Sequence, residues 1–537
     1  MRTHRSAASG EPHLGSRRFL IGSFAVLSAF CLFSSNTAVA ATSGTTKATA
    51  IAAGRIADQS TFGPTPALIQ HIQQIGLPAY VTEQLGEPAY VVPAAPSIVP
   101  SYCQTQYQCT VLPWYKDVLL GNDQLRQRVA LALSEIFTVS FDDISPVGLP
   151  TYQNLLAADA FGNYKTLMKD VTLNPAMGEF LNMAWNFKPA AGAIADENYA
   201  REVMQLMSLG TCRLNIEGIC QTYGGAPIQV YTQDQVQALA RALTGWQPVS
   251  GRGSQANFVS PMVAIESEHD TGSKSLIDGV TLPAGQTAEE DMDGAISTIF
   301  ADNNLPPFVS KLLIQHLVSS NPSAEYVARV ATVFENDGKG VRGNMAAVVT
   351  AILLDPEARA GDTVPQTASG HLREPILWLT GVLRGLNGVP VSSDMAEYNI
   401  IAGPLANLGE NPFRPDTVFS FYSPSYVVPD SSVLGPEFQL ETSSHVVSAL
   451  TLSNSIVYNQ FSPYVTVNLT ATGPFGAAAA SGPGPLLDQL GSVFLHSQMP
   501  PQMRAAIVSF ITPMKANDQI ANAAYLIITS PQYKIVN

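Results

Sequence analysis

The sequence predicts a mainly α fold, a multi-helical globular body with a small irregular, β-containing insertion. Three observations lead there. Helix-start signals followed by apolar residues at helical spacing recur from Thr65 to Asp518. The pattern changes only between about 246 and 285, where glycine, serine and isolated β-branched residues suggest short strands or an irregular excursion. Hydrophobic residues make up 46% of the 537 positions and charged residues 13%, a composition that buries a core rather than staying disordered.

The elements follow in order. Residues 41–54 are mostly small and polar and read as a flexible lead-in to a single large region over 55–537. Thr65-Pro66 opens a helix with Leu68, Ile69, Ile72 and Ile75 on one stripe, and Gly76 stops it. Pro78 starts a second, through Leu85. In the helix over Leu125–Val139, Leu125, Val129, Leu133, Ile136 and Phe137 form the apolar stripe, with Arg126, Arg128 and Glu135 off it. Tyr164–Trp185 is helical with a break near Asn174-Pro175, and Asp196 caps Glu197–Leu209. Thr232 and Gln235 form a capping box for a helix ending at Gly245. Further helices are expected from Asn321-Pro322 through Phe334, and over Met345–Leu354 and Glu374–Leu386. Residues 471–485 read as a low-complexity loop, and Pro500–Ile511 and Asp518–Ile528 as closing helices.

The first forty residues read as an address. Arg17-Arg18 precede an uncharged apolar run from Phe19 to Phe33, and Ala38-Val39-Ala40 supplies a small-x-small cleavage site. This is the pattern of a twin-arginine signal peptide over 1–40, removed before Ala41. The run is shorter than the roughly 20 residues of a spanning helix, and no later stretch reaches that length, so no transmembrane anchor is expected after cleavage. The expected location is outside the cytoplasm, periplasmic or extracellular. The net charge of −14 becomes more negative once Arg2, Arg5, Arg17 and Arg18 leave with Glu11, which disfavours nucleic acid as a partner. Cys103, Cys109, Cys212 and Cys220 remain as two close pairs, read as two disulfide loops, Cys103–Cys109 and Cys212–Cys220.

No complete phosphate-loop, dinucleotide, zinc-protease or serine-hydrolase motif occurs. Two polar segments stand out. In ADENYAREVMQLMSLG, Glu197, Arg201 and Glu202 share a broad helix face, either as an acid, base or clamp or as an ordinary i,i+4 ion pair. In ESEHDTGSK, His269, Asp270 and Lys274 place imidazole, carboxylate and amine together, with a metal at His269/Asp270 as one option and a solvated acidic turn as the other. The aromatic, proline-rich segment NPFRPDTVFSFYSPSY reads as a rigid strap on the body rather than a carbohydrate pocket, and the remaining histidines are individually mute.

The segments just quoted, together with FGPT at 62–65, LRQRVALALSEIF, LMKDVTLNPAMGEFLN, YTQDQVQALARALTGW, LLIQHLVSSNPSAEYVARVATVF and AVVTAILLDPEAR, resemble in order the bacterial family known as domain of unknown function 1800. The resemblance spans roughly residues 55–535. It implies an exported, largely helical protein, often encoded beside a sulfatase-like exported family. It implies no agreed catalytic residues, but Glu197, Asn198, Arg201, Glu202, His269, Asp270 and Lys274 fall in its recurrent motifs. Ala301-Asp302-Asn303-Asn304 stands where relatives commonly carry a histidine-proline pair. Two functions are therefore expected: a binding or scaffold subunit working with a sulfatase-like partner, or a hydrolase-like enzyme whose site joins Glu197/Arg201/Glu202 to His269/Asp270.

Overall fold

The computed structural model describes residues 47–96, 99, 103, 105–253, 256–363, 370–390, 401–458 and 465–536, so the signal peptide expected over 1–40 lies outside the described residues. Helices begin where the capping residues predict. They are α1 (Ala50–Ser60), α2 (Pro66–Ile75), α3 (Leu77–Gly86), α4 (Gln106–Leu120), α5 (Gln124–Ile136), α6 (Gly148–Asp159), α7 (Tyr164–Leu173), α8 (Pro175–Phe180), α9 (Asn198–Gln205) and α10 (Gln233–Ala242). After the insertion come α11 (Ala288–Ala301), α12 (Leu305–Leu317), α13 (Ala324–Glu335), α14 (Met345–Leu354), α15 (Pro356–Arg359), α16 (Pro375–Gly385), α17 (Ala402–Ala406) and α18 (Ser443–Val457). The chain closes with α19 (Gly476–Ala480), α20 (Pro483–Phe494), α21 (Pro501–Ile511), α22 (Ala516–Ile528) and α23 (Pro531–Lys534). The fold is mainly α with small two-stranded ribbons.

The local chemistry is as expected at most starts. Thr65 accepts from Leu68 N, Asn174 accepts from Ala176 N at the break between α7 and α8, and Thr232 and Gln235 form the capping box. The insertion is built from antiparallel ribbons of two residues per strand, Trp246–Gln247 with Val263–Ala264 and Lys274–Ser275 with Thr281–Leu282. Both cysteine pairs, Cys103–Cys109 and Cys212–Cys220, form disulfides.

Three expectations change. The lead-in ends early: Thr49 caps α1, whose Ala52, Ala53 and Gly54 are buried. The low-complexity stretch contains α19 and the start of α20. Arg128 and Glu135 are not on a wet face, because α5 is enclosed by α3, α6 and α12; Arg128 is 1% exposed. Apolar periodicity marks the greasy side of a helix, not whether the other side is also covered.

Helix ends are held by long-range donors. Gln124 Nε2 donates to the carbonyls of Val118 and Gly121, and Arg384 Nη1 to those of Val118 and Leu119, satisfying the C-terminal carbonyls of α4. α16 packs close to the loop after α1 because Gly63, at φ 127°, and Gly381 meet where a Cβ on Gly63 would lie 2.3 Å from Gly381 Cα. At the chain's end, Ile535–Val536 pairs antiparallel with His371–Leu372 and so sets the position of Arg373 and Glu374.

Near the C-terminal end of α4, burial first, then the neighbouring Asp123 charge and hydrogen bond, push the Asp117 carboxyl up to about 8. Because this folded pKa exceeds the unfolded value of about 3.9, the folded chain holds the extra proton between the two, and stability falls as pH rises from about 4 to about 8. Asp117→Asn should therefore stabilise the protein at about pH 9 by roughly 1–2 kcal/mol, allowing for partial solvent screening, with no gain near pH 4. Urea unfolding at both pH values reads this out; an equal effect at both would contradict it.

A buried carboxylate–histidine centre

Four chain segments meet in the interior. α5 supplies Arg128 and Glu135, the last turn of α12 supplies Gln315 and His316, Glu374 is the N-cap of α16, and the strap over 411–426 supplies Tyr422. The strap has neither strand nor helix and is anchored by Gln315, whose Nε2 donates to Pro424 O at 3.0 Å and Ser320 O at 2.9 Å.

The Tyr422 hydroxyl sits among two carboxyl groups and an imidazole. It donates to Glu374 Oε1, lies 3.0 Å from Glu135 Oε2 and is 3.4 Å from His316 Nδ1. His316 Nδ1 is 3.4 Å from Glu135 Oε2 and 3.9 Å from Glu374 Oε1. The phenol has one proton to give, and the imidazole and the Glu135 carboxyl give or accept at these contacts according to their own protonation. Glu135 Oε1 is buried and has no partner among the described residues. Beside it lies a cavity of about 50 Å³ lined by Glu135, His316, Tyr422 and the apolar side chains of Leu206, Leu312 and Val418. The space exceeds the roughly 10–15 Å³ one water needs.

The surroundings are rich in carboxyl groups. Glu410 Oε2 accepts from Ile376 N at 3.0 Å, its Oε1 is buried with no partner among the described residues, and burial, then Glu374, drives this carboxyl well above its ordinary range. Glu437 is also buried and accepts from Ser320 Oγ. Arg128 is the buried cation of this group, and one of its nitrogens donates to His316 O. Burial, then Glu374 and Glu410, drive Glu135 well above the carboxylate range. Burial also opposes ionisation of Glu374, but the nearby His316 imidazole and the Arg128 charge outweigh it and bring that carboxyl to about 2. Among the described residues, Glu135, His316 and Glu374 form the one set of three ligand-type side chains whose ligand atoms all lie within 4.8 Å of one another.

The two sequence-predicted segments are placed differently. Glu197 Oε2 accepts from Arg201 at 2.6 Å and from Gln233 Nε2 at 2.7 Å, tying α9 to the start of α10. Glu202 is buried, which raises its carboxyl against the effect of Arg201, and its Oε2 has no partner among the described residues. At the other end of α10, Arg241 holds Asp270 through two hydrogen bonds of 2.7 and 2.9 Å, and that hydrogen bonding is the main reason the Asp270 carboxyl drops to about 2. His269 contacts Thr244 O at 2.9 Å and Asp291 Oδ2 at 3.0 Å, and Lys274 Nζ donates to Asp291 and to Asp270 O. Gln233 and Arg241 are separated by about 12 Å of helix rise, and no hydrogen bond or ion pair among the described residues joins the two segments. His269, Asp270 and Lys274 pin the insertion to α10 and α11 rather than converging with Glu197, Arg201 and Glu202 on one cavity.

Sequence reasoning missed the centre that does converge. Its one available signal was polar residues inside apolar helices, Glu135 before Ile136-Phe137 and His316 within LLIQHLV.

Residues 55–535, which include this centre, match the family described as "Protein of unknown function (DUF1800)". The chain belongs to that family. No curated protein and no solved structure matches it. No helix among the described residues is long and apolar enough to cross a membrane.

Proposed function

We propose that the protein is an exported, cation-dependent enzyme of hydrolytic type, with a divalent cation held by Glu135, His316 and Glu374 and with Tyr422 as a neighbouring oxygen donor. The observation that carries this reading is the convergence of three ligand atoms around one phenol, next to a Glu135 oxygen with no partner among the described residues. Two carboxylates and an imidazole suit a hard or borderline divalent cation such as Mg²⁺, Mn²⁺ or Zn²⁺. A bound cation would also offset the burial that keeps the Glu135 carboxyl protonated. When bound, such a cation would supply Lewis acidity, polarising a substrate oxygen or activating a water. The twin-arginine leader ending at Ala40 and the two disulfides support export. In this reading the sulfatase-like protein suggested by the family resemblance is a partner acting beside the enzyme, which co-purification from the periplasm tests.

Protein isolated from the periplasm should carry stoichiometric metal, and chelator-stripped protein should rebind Mn²⁺ or Zn²⁺ by calorimetry. Glu135→Gln and His316→Ala should each weaken binding by about 100-fold or more while the far-ultraviolet spectrum stays native. Metal-free isolated protein that also binds none of Mg²⁺, Mn²⁺ and Zn²⁺ removes the reading.

A further inference from the structure

A second concavity lies apart from the acidic centre. A cleft of about 590 Å³ is lined by Asn182, Trp185, Asn186, Phe187, Asp196 and Arg252. The segment that forms it is held in an unusual backbone shape. Asn182 and Trp185 have φ of 59° and 63°, a left-handed conformation that is rare for a residue as bulky as tryptophan. It is fixed by Ala184 N donating to Gly178 O and Trp185 N to Trp246 O, at 2.9 and 2.7 Å. Asn186 in turn clamps the backbone of Asp196 from both sides, with Nδ2 donating to Asp196 O and Oδ1 accepting from Asp196 N. Strain of this kind persists where surrounding structure enforces it, and it concentrates at binding sites.

The chemistry of the lining is specific. The exposed Arg252 guanidinium lies 5.3 Å from the centre of the Trp185 ring and 5.9 Å from that of Phe187. Among the described residues it has neither a carboxylate partner nor a hydrogen bond, in a chain whose net charge is −14. Asn182 and Asp196 are exposed at the same cleft, and the Trp185 indole N–H is buried with no partner among the described residues. Two aromatic rings offer apolar faces to the C–H surface of a sugar. Amide and carboxylate groups at the edge match hydroxyls, and a guanidinium matches a carboxylate or sulfate through paired hydrogen bonds.

We propose that this cleft binds an acidic saccharide, with the sugar ring against Trp185 and Phe187, its anionic group on Arg252 and its hydroxyls on Asn182 and Asp196. The site does not depend on the cation centre. Trp114, Trp246 and Trp378 are buried, so Trp185 is the most exposed of the four tryptophans and its fluorescence reports the cleft directly. The test titrates the full chain with a uronic-acid tetrasaccharide, a sulfated tetrasaccharide and neutral cellotetraose, followed by fluorescence and calorimetry. At least one acidic ligand should bind at least tenfold more tightly than the neutral one, and which of the two binds tells carboxylate from sulfate recognition. Arg252→Ala, at an exposed position, should remove that preference, Trp185→Phe should abolish the fluorescence change, and Glu135→Gln should leave binding unaltered. No binding by either acidic ligand, equal binding of the neutral one, or an unchanged preference in Arg252→Ala overturns the proposal.

Discussion

Arg373→Ala is expected to destabilise the protein by about 3–5 kcal/mol, because it strands a buried charge. The Arg373 guanidinium forms a two-pronged pair with Asp58 of α1, at 2.5 and 2.7 Å, and its Nε donates to Tyr533 O at 3.0 Å. It also lies 4.4 Å from the centre of the Tyr533 ring, and His496 Nε2 meets the same Asp58 carboxylate at 3.0 Å. Both Asp58 and Arg373 are buried. The Asp58 carboxyl is accordingly held well below its ordinary range: burial alone would raise it, but Arg373 and His496 more than reverse that. Removing the cation leaves that burial uncompensated and cuts the link between α1, the start of α16 and the C-terminal strand. Urea unfolding of Arg373→Ala, set beside Asp58→Asn and the double variant, measures the coupling. A double variant less damaged than Arg373→Ala alone is the expected signature. Additive single effects would show that the pair is not coupled.

Asp291→Ala is expected to cost a similar amount, about 3–5 kcal/mol, for a related reason. Asp291 is fully buried and faces both Lys274 Nζ and His269 Nε2, which are buried too. Its loss leaves an ammonium group in the interior with only the carbonyl of Asp270. The insertion over 246–285 should then detach from α10 and α11 while the rest of the helical body keeps its packing. Hydrogen exchange by mass spectrometry should show protection lost around 263–282 and retained in α5 and α12. Pairing the change with Lys274→Met should recover part of the lost stability, since a buried ion pair replaced on both sides by apolar groups is often tolerated. Uniform loss of protection over the whole chain would contradict a local role.

These two ion groups, and the Glu135–His316–Glu374 centre, show where sequence reading stops. The helix starts at Thr65, Asn174 and Thr232, the helix Met345–Leu354 and the ribbon-like character of 246–285 were legible because each is written within a few neighbouring residues. The helices α4, α6, α11 and α18 were harder to see. α4 contains Pro113 and little one-sided apolar patterning, and it is held instead by the Thr105–Gln108 capping box and by Gln124 and Arg384 at its other end. The segment ESEHDTGSK stands out in the sequence as chemically dense, and its charges are bonded partners of Arg241 and Asp291, residues that its own spacing does not point to.

By itself, then, the sequence determined the helical class, the family, most capped helix starts and the pairing of Cys103 with Cys109 and of Cys212 with Cys220, since capping, periodicity and short loops act over a few residues. Only the tertiary structure decided which polar side chains lose their water and whom they meet. Glu135, His316, Glu374 and Tyr422 come from four distant segments, and each alone resembles an ordinary helix or loop residue. Their meeting depends on the packing of α5, α12 and α16 and on the strap laid across them, and packing between distant segments leaves no periodic mark along a chain.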